Sequence, residues 1–160
     1  MNAVDVLKYG HQTVLQTLDG VPVSAWETGG VCGVWSVKEI IAHLASYEHL
    51  LIDVLNGLLD GGPTPCLDAY LEVGAAAFND LEVEKRKGKT VDETLEEYNA
   101  AQAQTMALIA QAPVEARRQP GTLPWYGSEY ALEDFIVYQY YGHKREHCAQ
   151  IDVYRDRLAG

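Results

Sequence analysis

Apolar positions recur at helical rather than strand spacing along the chain. Val4, Leu7, His11, Val14, Leu15 and Leu18 fall at i, i+3, i+4 and i+7 and predict a first helix from about Val4 to Leu18. Gly20 and Pro22 end it, and a loop with Gly29, Gly30 and Gly33 follows. Ser36-Val37-Lys38-Glu39 has the form of a capping box, in which the serine oxygen serves an early N–H and the glutamate reaches back. It opens a second helix with the stripe Ile40, His43, Leu44, Tyr47, Leu51, Val54, Leu55 and Leu58, stopped by Gly61-Gly62-Pro63-Thr64-Pro65. A third helical region covers about Leu67 to Lys87, broken near Gly74, and its charged tail Glu84-Lys85-Arg86-Lys87 reads as a solvated helix end. A second capping box, Thr90-Val91-Asp92-Glu93, opens a fourth helix carrying Leu95, Tyr98, Gln102, Thr105, Met106 and Ile109, and Pro113 marks its end. Residues 114–130 read as irregular, and a last helix runs from about Leu132 to Leu158. Four long helices with short connections predict an all-α, up-and-down four-helix bundle with a short extra helical segment.

Composition narrows the class. The 160 residues suit one domain, residues 1–160, and the 48% hydrophobic fraction is enough to build a core. Twelve basic against 23 acidic residues give a net charge of −11, the wrong sign for neutralising phosphates, so no nucleic-acid partner is expected. No apolar run reaches the roughly 18 residues of a membrane span, and Met1-Asn2-Ala3-Val4-Asp5 lacks the basic and apolar blocks of a signal peptide. Cys32, Cys66 and Cys148 are odd in number and widely spaced, which reads as reduced thiols in a cytoplasmic protein.

The candidate chemistry lies in the histidines. In the last helix, Ile136, Tyr140, His143, His147, Ile151, Tyr154 and Leu158 form a stripe with spacings of 4, 3, 4, 4, 3 and 4. His143 and His147 are one turn apart and can converge on one ion. His43 holds the corresponding inward place on the second helix, between Ile40 and Tyr47. Three imidazoles from two facing helices leave a coordination position open, as in a catalytic zinc site. A single inward histidine is more often a packed core residue than a ligand. Three are harder to assign that way, because each buried imidazole needs polar partners. Imidazole suits zinc, nickel, iron and copper alike. His143-Lys144-Arg145-Glu146-His147 also spells the inverted zincin pattern H-x-x-E-H. Only 13 residues follow His147, too few to return a third ligand, and Lys144 and Arg145 suggest a solvated face between the histidines. The protease reading is therefore set aside.

At this point the residues resemble a known family. The order is Trp35-Ser36-Val37-Lys38-Glu39-Ile40-Ile41-Ala42-His43-Leu44, then Phe78-Asn79, then a Trp-Tyr-Gly loop, then Tyr141-Gly142-His143-Lys144-Arg145-Glu146-His147-Cys148-Ala149-Gln150-Ile151. It is similar to the DinB-like (DinB/YfiT) superfamily of metal-dependent four-helix-bundle proteins over essentially the whole chain, and Phe78-Asn79 resembles the ClbS/DfsB branch. The resemblance implies a divalent metal, zinc or nickel first and iron next, held by His43, His143 and His147. Glu146 and Gln150 match the motif as supporting residues. Relatives differ in chemistry. The resemblance therefore implies an enzyme acting on a small electrophilic molecule, by thiol-dependent transfer or detoxification with a low-molecular-weight thiol as cosubstrate. The alternatives are a metal-dependent hydrolase and a non-catalytic metal- or ligand-binding stress-response protein. Together with the apolar helix faces, it also implies a homodimer.

Other residues carry weaker expectations. Tyr47 and Tyr140 lie one turn from His43 and His143, where they line a pocket or simply pack with their hydroxyls satisfied. Glu48 can orient an imidazole or lie on the surface. Cys148 points about 100° away from the adjacent ligand and reads as a small hydrophobe, while Cys32 and Cys66 are placed in loops. His11 reads as a packed, hydrogen-bonded histidine and His49 as outward-facing. Trp125 and Tyr126 read as a loop anchored by aromatic packing. Arg117 and Arg118 are the nearest approach to a carboxylate-binding pair.

Overall fold

A computed structural model describes residues 2–160. We number its helices α1 (Ala3–Asp19), α2 (Val37–Leu59), α3 (Pro65–Val73), α4 (Ala75–Lys85), α5 (Val91–Ile109) and α6 (Val114–Arg118). The last helix, α7, joins Leu132–Ile136, a π-helical turn Val137–Gly142 and His143–Leu158. The chain is a helical bundle with no strand among the described residues, only an isolated bridge between Cys32 and Trp35.

Both capping boxes form as expected. Glu39 N–H donates to Ser36 Oγ at 3.2 Å and Ser36 N–H to Glu39 Oε2 at 2.8 Å, so α2 begins at a fixed point seven residues before His43. Sixteen of the 23 residues of α2 are buried. A helix buried nearly all round is the central element of its fold, and α2 packs most extensively against α5. Two apolar clusters meet on it. One gathers Leu7, Leu50, Leu51, Phe78, Phe135 and Tyr140, and the other Val14, Trp26, Ile40, Leu44, Tyr98 and Ile151.

The third helical region splits at Gly74, whose φ of +80° lies where only glycine is unstrained. Thr64 gives α3 no side-chain cap. Asp53 of α2 caps it instead, accepting the Cys66 and Leu67 N–H groups at 2.6 and 3.1 Å. Cys66 therefore sits in the first turn of α3 rather than in a loop.

Three further expectations are corrected. Residues 114–130 include the short helix α6. The charged tail is not wholly solvated, because Arg86 is drawn in between Glu82 and Glu97, although Lys85 and Lys87 stay exposed. The last helix is not a continuous α-helix. Its π turn absorbs one extra residue and shifts the buried stripe from His143 to Lys144. Lys144, expected in solvent, is 2% exposed.

Removing the cross-helix cap tests how α3 is held. Asp53→Ala should lower unfolding stability by about 1–2 kcal/mol, as for other lost caps, while Asp53→Asn keeps an acceptor and should lose less. Urea titration reads the difference; equal stability of Asp53→Ala and wild type would contradict the capping role.

Candidate metal centre

His43 and the last helix meet along an antiparallel seam. His43 Nε2 lies 3.0 Å from His143 Nε2, and His147 Nε2 lies 2.9 Å from the same atom. The potential ligand atoms of the three residues all fall within 4.8 Å of one another, as a metal-holding group requires. One turn on, the Tyr140 hydroxyl donates to the Tyr47 carbonyl at 2.8 Å and ties the same two helices.

The outer nitrogens decide what the inner ones can do. His147 Nδ1 lies 2.8 Å from Gln150 Oε1, an acceptor, so that nitrogen carries the proton. His143 hydrogen-bonds to the Gln139 backbone carbonyl, again an acceptor. The π turn contributes here, because the His143 backbone N–H reaches the Tyr140 carbonyl. Neutral His143 and His147 therefore turn bare Nε2 lone pairs toward each other across 2.9 Å. Two facing lone pairs repel unless a cation lies between them. Neutral imidazole with its second nitrogen held by a carbonyl is the form in which histidine ligates a metal.

A proton is a poor cation for this place. Burial, reinforced by the repulsion that His143 and His147 exert when protonated, holds the pKa of His43 down to about 2. Burial and His147 bring His143 to about 4. His147 is lowered by burial against the raising effect of Gln150. The His43 Nδ1 atom is buried with no hydrogen-bond partner among the described residues. Around His43 the walls are aromatic. Trp35 packs at a tilt with 5.0 Å between centroids, and Tyr47 meets the ring edge-on at 4.8 Å. Trp35 is held there by the turn in which Val31 N–H donates to the Trp35 carbonyl at 2.8 Å. His143 is the partly exposed member of the cluster, so solvent approaches from its side.

Residues 7–151 match the DinB superfamily. The chain belongs to that superfamily. Comparison with curated proteins finds no match, and comparison with solved structures finds none either. The DinB match fits the helical bundle and is compatible with a metal at the histidine cluster.

The remaining sequence candidates of this DinB chain separate clearly. Tyr47 touches both His43 and His143, and burial pushes its hydroxyl up to about 12 with Asn79 as its neighbour. Tyr140 is buried and spends its proton on the Tyr47 carbonyl, so it packs rather than serving a pocket. Glu48 neither orients an imidazole nor lies on the surface. It is fully buried, with one oxygen on Lys144 and the other accepting from Thr105 Oγ1 at 2.9 Å. Glu146 is exposed and reaches His147 only through its charge. Cys148 is buried as expected. His49 pairs with Glu97 at the bundle edge. His11 packs on Tyr98, but its Nδ1 has no partner among the described residues. Trp125 and Tyr126 pack on Phe135, which supports the anchored-loop reading. Arg118 pairs with Glu133, while Arg117 is buried in α6, so the two do not form a basic cluster. Sequence reasoning missed Trp35 as a wall of the site and the Gln139 carbonyl. The first stood in the motif without a role, and the second depends on the π turn.

The buried cluster sets a pH dependence. The unfolded imidazoles titrate near 6.5, while the folded His43 and His143 take protons only at about 2 and 4. Between about pH 6.5 and 4 the unfolded chain thus binds protons that the native metal-free chain refuses, and stability is lost as pH falls through that window. Urea midpoints in the presence of chelator should drop from pH 7.5 to pH 4.5, and an unchanged midpoint would contradict the buried neutral cluster. Gln150→Leu removes the acceptor on His147 and should weaken metal binding by about 10–100-fold, read by competition with a chromophoric chelator.

Proposed function

We propose that this DinB-superfamily chain is a metal-dependent enzyme whose divalent ion, zinc or nickel first and iron next, is held by His43, His143 and His147. The observation that carries this reading is the meeting of imidazole lone pairs whose outer nitrogens are already committed to carbonyl oxygens. Three nitrogen donors leave a further position for water or a low-molecular-weight thiol, as in open catalytic sites. An ion held there supplies Lewis acidity and lowers the pKa of a water or thiol beside it. The chain's own residues supply the rest. Gln150 and the Gln139 carbonyl orient the rings, and Trp35 and Tyr47 keep water from the His43 side. The partly exposed His143 side is where a small electrophilic substrate approaches. The metal-holding group itself is three imidazoles, and of the two chemistries we favour thiol-dependent transfer or detoxification over hydrolysis.

A second reading, a non-catalytic metal or ligand holder, is favoured by the enclosure of His43, which is only 1% exposed. The proposal also carries a homodimer, a cytoplasmic location and one domain over residues 1–160. Among the described residues no helix is long and apolar enough to cross a membrane.

The test is metal content per chain in untagged protein, wild type against His43→Ala. Near-stoichiometric metal in the wild type, lost in the variant, supports the site, and turnover of small electrophiles only with an added thiol then separates transferase from holder. Wild type that takes up neither zinc nor nickel sinks the metalloenzyme reading. Because the bundle core forms apart from the histidines, chelation should leave the helical CD signal in place; collapse of that signal would instead mark a structural ion.

A further inference from the structure

The Glu48–Lys144 pair has no part in the chemistry proposed above, yet it is the most completely buried ion pair among the described residues. Glu48 Oε1 and Lys144 Nζ lie 2.5 Å apart, with side-chain exposures of 0% and 2%. The other Glu48 oxygen is taken by Thr105, and the Lys144 ammonium also lies 5.5 Å from the centre of the Tyr98 ring. The lysine stem crosses α1 at Gly10, where an added Cβ would meet Lys144 Cδ at 3.5 Å and the Tyr141 ring at 3.4 Å. A larger residue at position 10 would therefore press on the lysine.

Such a pair needs a reason other than stability. Taking two charges out of water costs about as much as their attraction returns, and apolar replacements of similar volume are often neutral or stabilising. The position of the pair supplies a reason. Glu48 stands on α2 five residues after His43, and Lys144 adjoins His143 on α7. Two phases are open to α7. In an unbroken α-helix the inward stripe is Ile136, Tyr140, His143, His147 and Ile151, and Lys144 lies about 80° off the Ile136 direction. Glu48 would then be a buried carboxylate with Thr105 as its one partner and no cation beside it. With the π turn, the helix slips by one residue, Lys144 enters the core and Glu48 is satisfied. This is also the phase in which the Gln139 carbonyl holds His143 and all three Nε2 atoms converge.

We propose that the Glu48–Lys144 ion pair is the register lock of the histidine cluster, selecting the π-shifted phase of α7 in which His143 and His147 both turn on His43. Both are positioning residues: neither touches the ion nor any substrate. The inference deepens the metal-site reading and rests on it for its function, but the lock itself is a property of the metal-free chain.

The test uses the full chain carrying Glu48→Gln with Lys144→Met, which removes both charges and keeps the volumes. The expected variant is as helical and as thermally stable as wild type, binds cobalt(II) at least about tenfold more weakly, in line with the loss of an outer supporting group, and shows an altered cobalt ligand-field spectrum. A purely structural pair would not move that spectrum in a stably folded protein. Wild-type cobalt affinity and spectrum in the variant would overturn the lock. Should the double variant fail to fold, Gly10→Val presses on the same lysine from α1 and should give the same loss, and unchanged cobalt binding there would overturn it equally. Nuclear Overhauser effects between the His43 and His143 ring protons provide the readout without metal. Their disappearance on mutation, with a wild type that binds no cobalt, would uphold the lock and defeat the metal reading. Their persistence in the variant would defeat the lock.

Discussion

Three imidazole nitrogens crowded into one apolar seam are costly to assemble, and most of the fold can be understood as meeting that cost. His143 Nε2 stands 3.0 Å from His43 Nε2 and 2.9 Å from His147 Nε2. Carbonyl acceptors on the outer nitrogens of His143 and His147 turn the inner lone pairs on one another. Burial pushes the protonated forms away, so a proton does not relieve the repulsion at neutral pH. A cluster with these properties stays together only if the helices that carry it are fixed in both depth and rotation.

The fixing is distributed over the bundle. The capping box at Ser36 sets where α2 begins. Apolar burial on nearly every side of α2 sets its place. Rotation of α7 is set by the π turn, by Tyr140 on the Tyr47 carbonyl and by Lys144 on Glu48, each lying beside the histidines. π turns cost hydrogen-bond quality and tend to occur at functional sites, and here the turn faces the Gln139 carbonyl to an imidazole. Removing either charge of the buried pair would leave the other uncompensated in the interior, so the pair is far more sensitive to single substitutions than its modest net stability suggests.

Much of this was legible in the sequence, for identifiable reasons. The helices were readable because apolar residues keep a 3.6-residue period and the caps at Ser36 and Thr90 are local signals that need no tertiary information. The break at Gly74 was readable because glycine marks it. His43, His143 and His147 were readable as a group because they share stripes with large apolar residues. The π turn was not legible, since a one-residue slip leaves both flanking stripes intact and shows only in three dimensions. From it follow the two errors about Lys144 and Glu48: a lysine between two histidines reads as solvent-facing until the slip carries it inward. The Asp53 cap on α3 was equally hidden, because donor and acceptor lie 13 and 14 residues apart and on different helices.

On our proposal the convergent nitrogens of His43, His143 and His147 form the inner shell of a metal ion with one position left open. X-ray absorption at the zinc edge of metal-loaded protein tests this most directly. The expected result is three imidazole nitrogens at about 2.0–2.1 Å together with one oxygen donor, which a sulfur at about 2.3 Å replaces when a small thiol is added. A first shell of oxygen donors alone, or a zinc spectrum unchanged by His143→Ala, would contradict it.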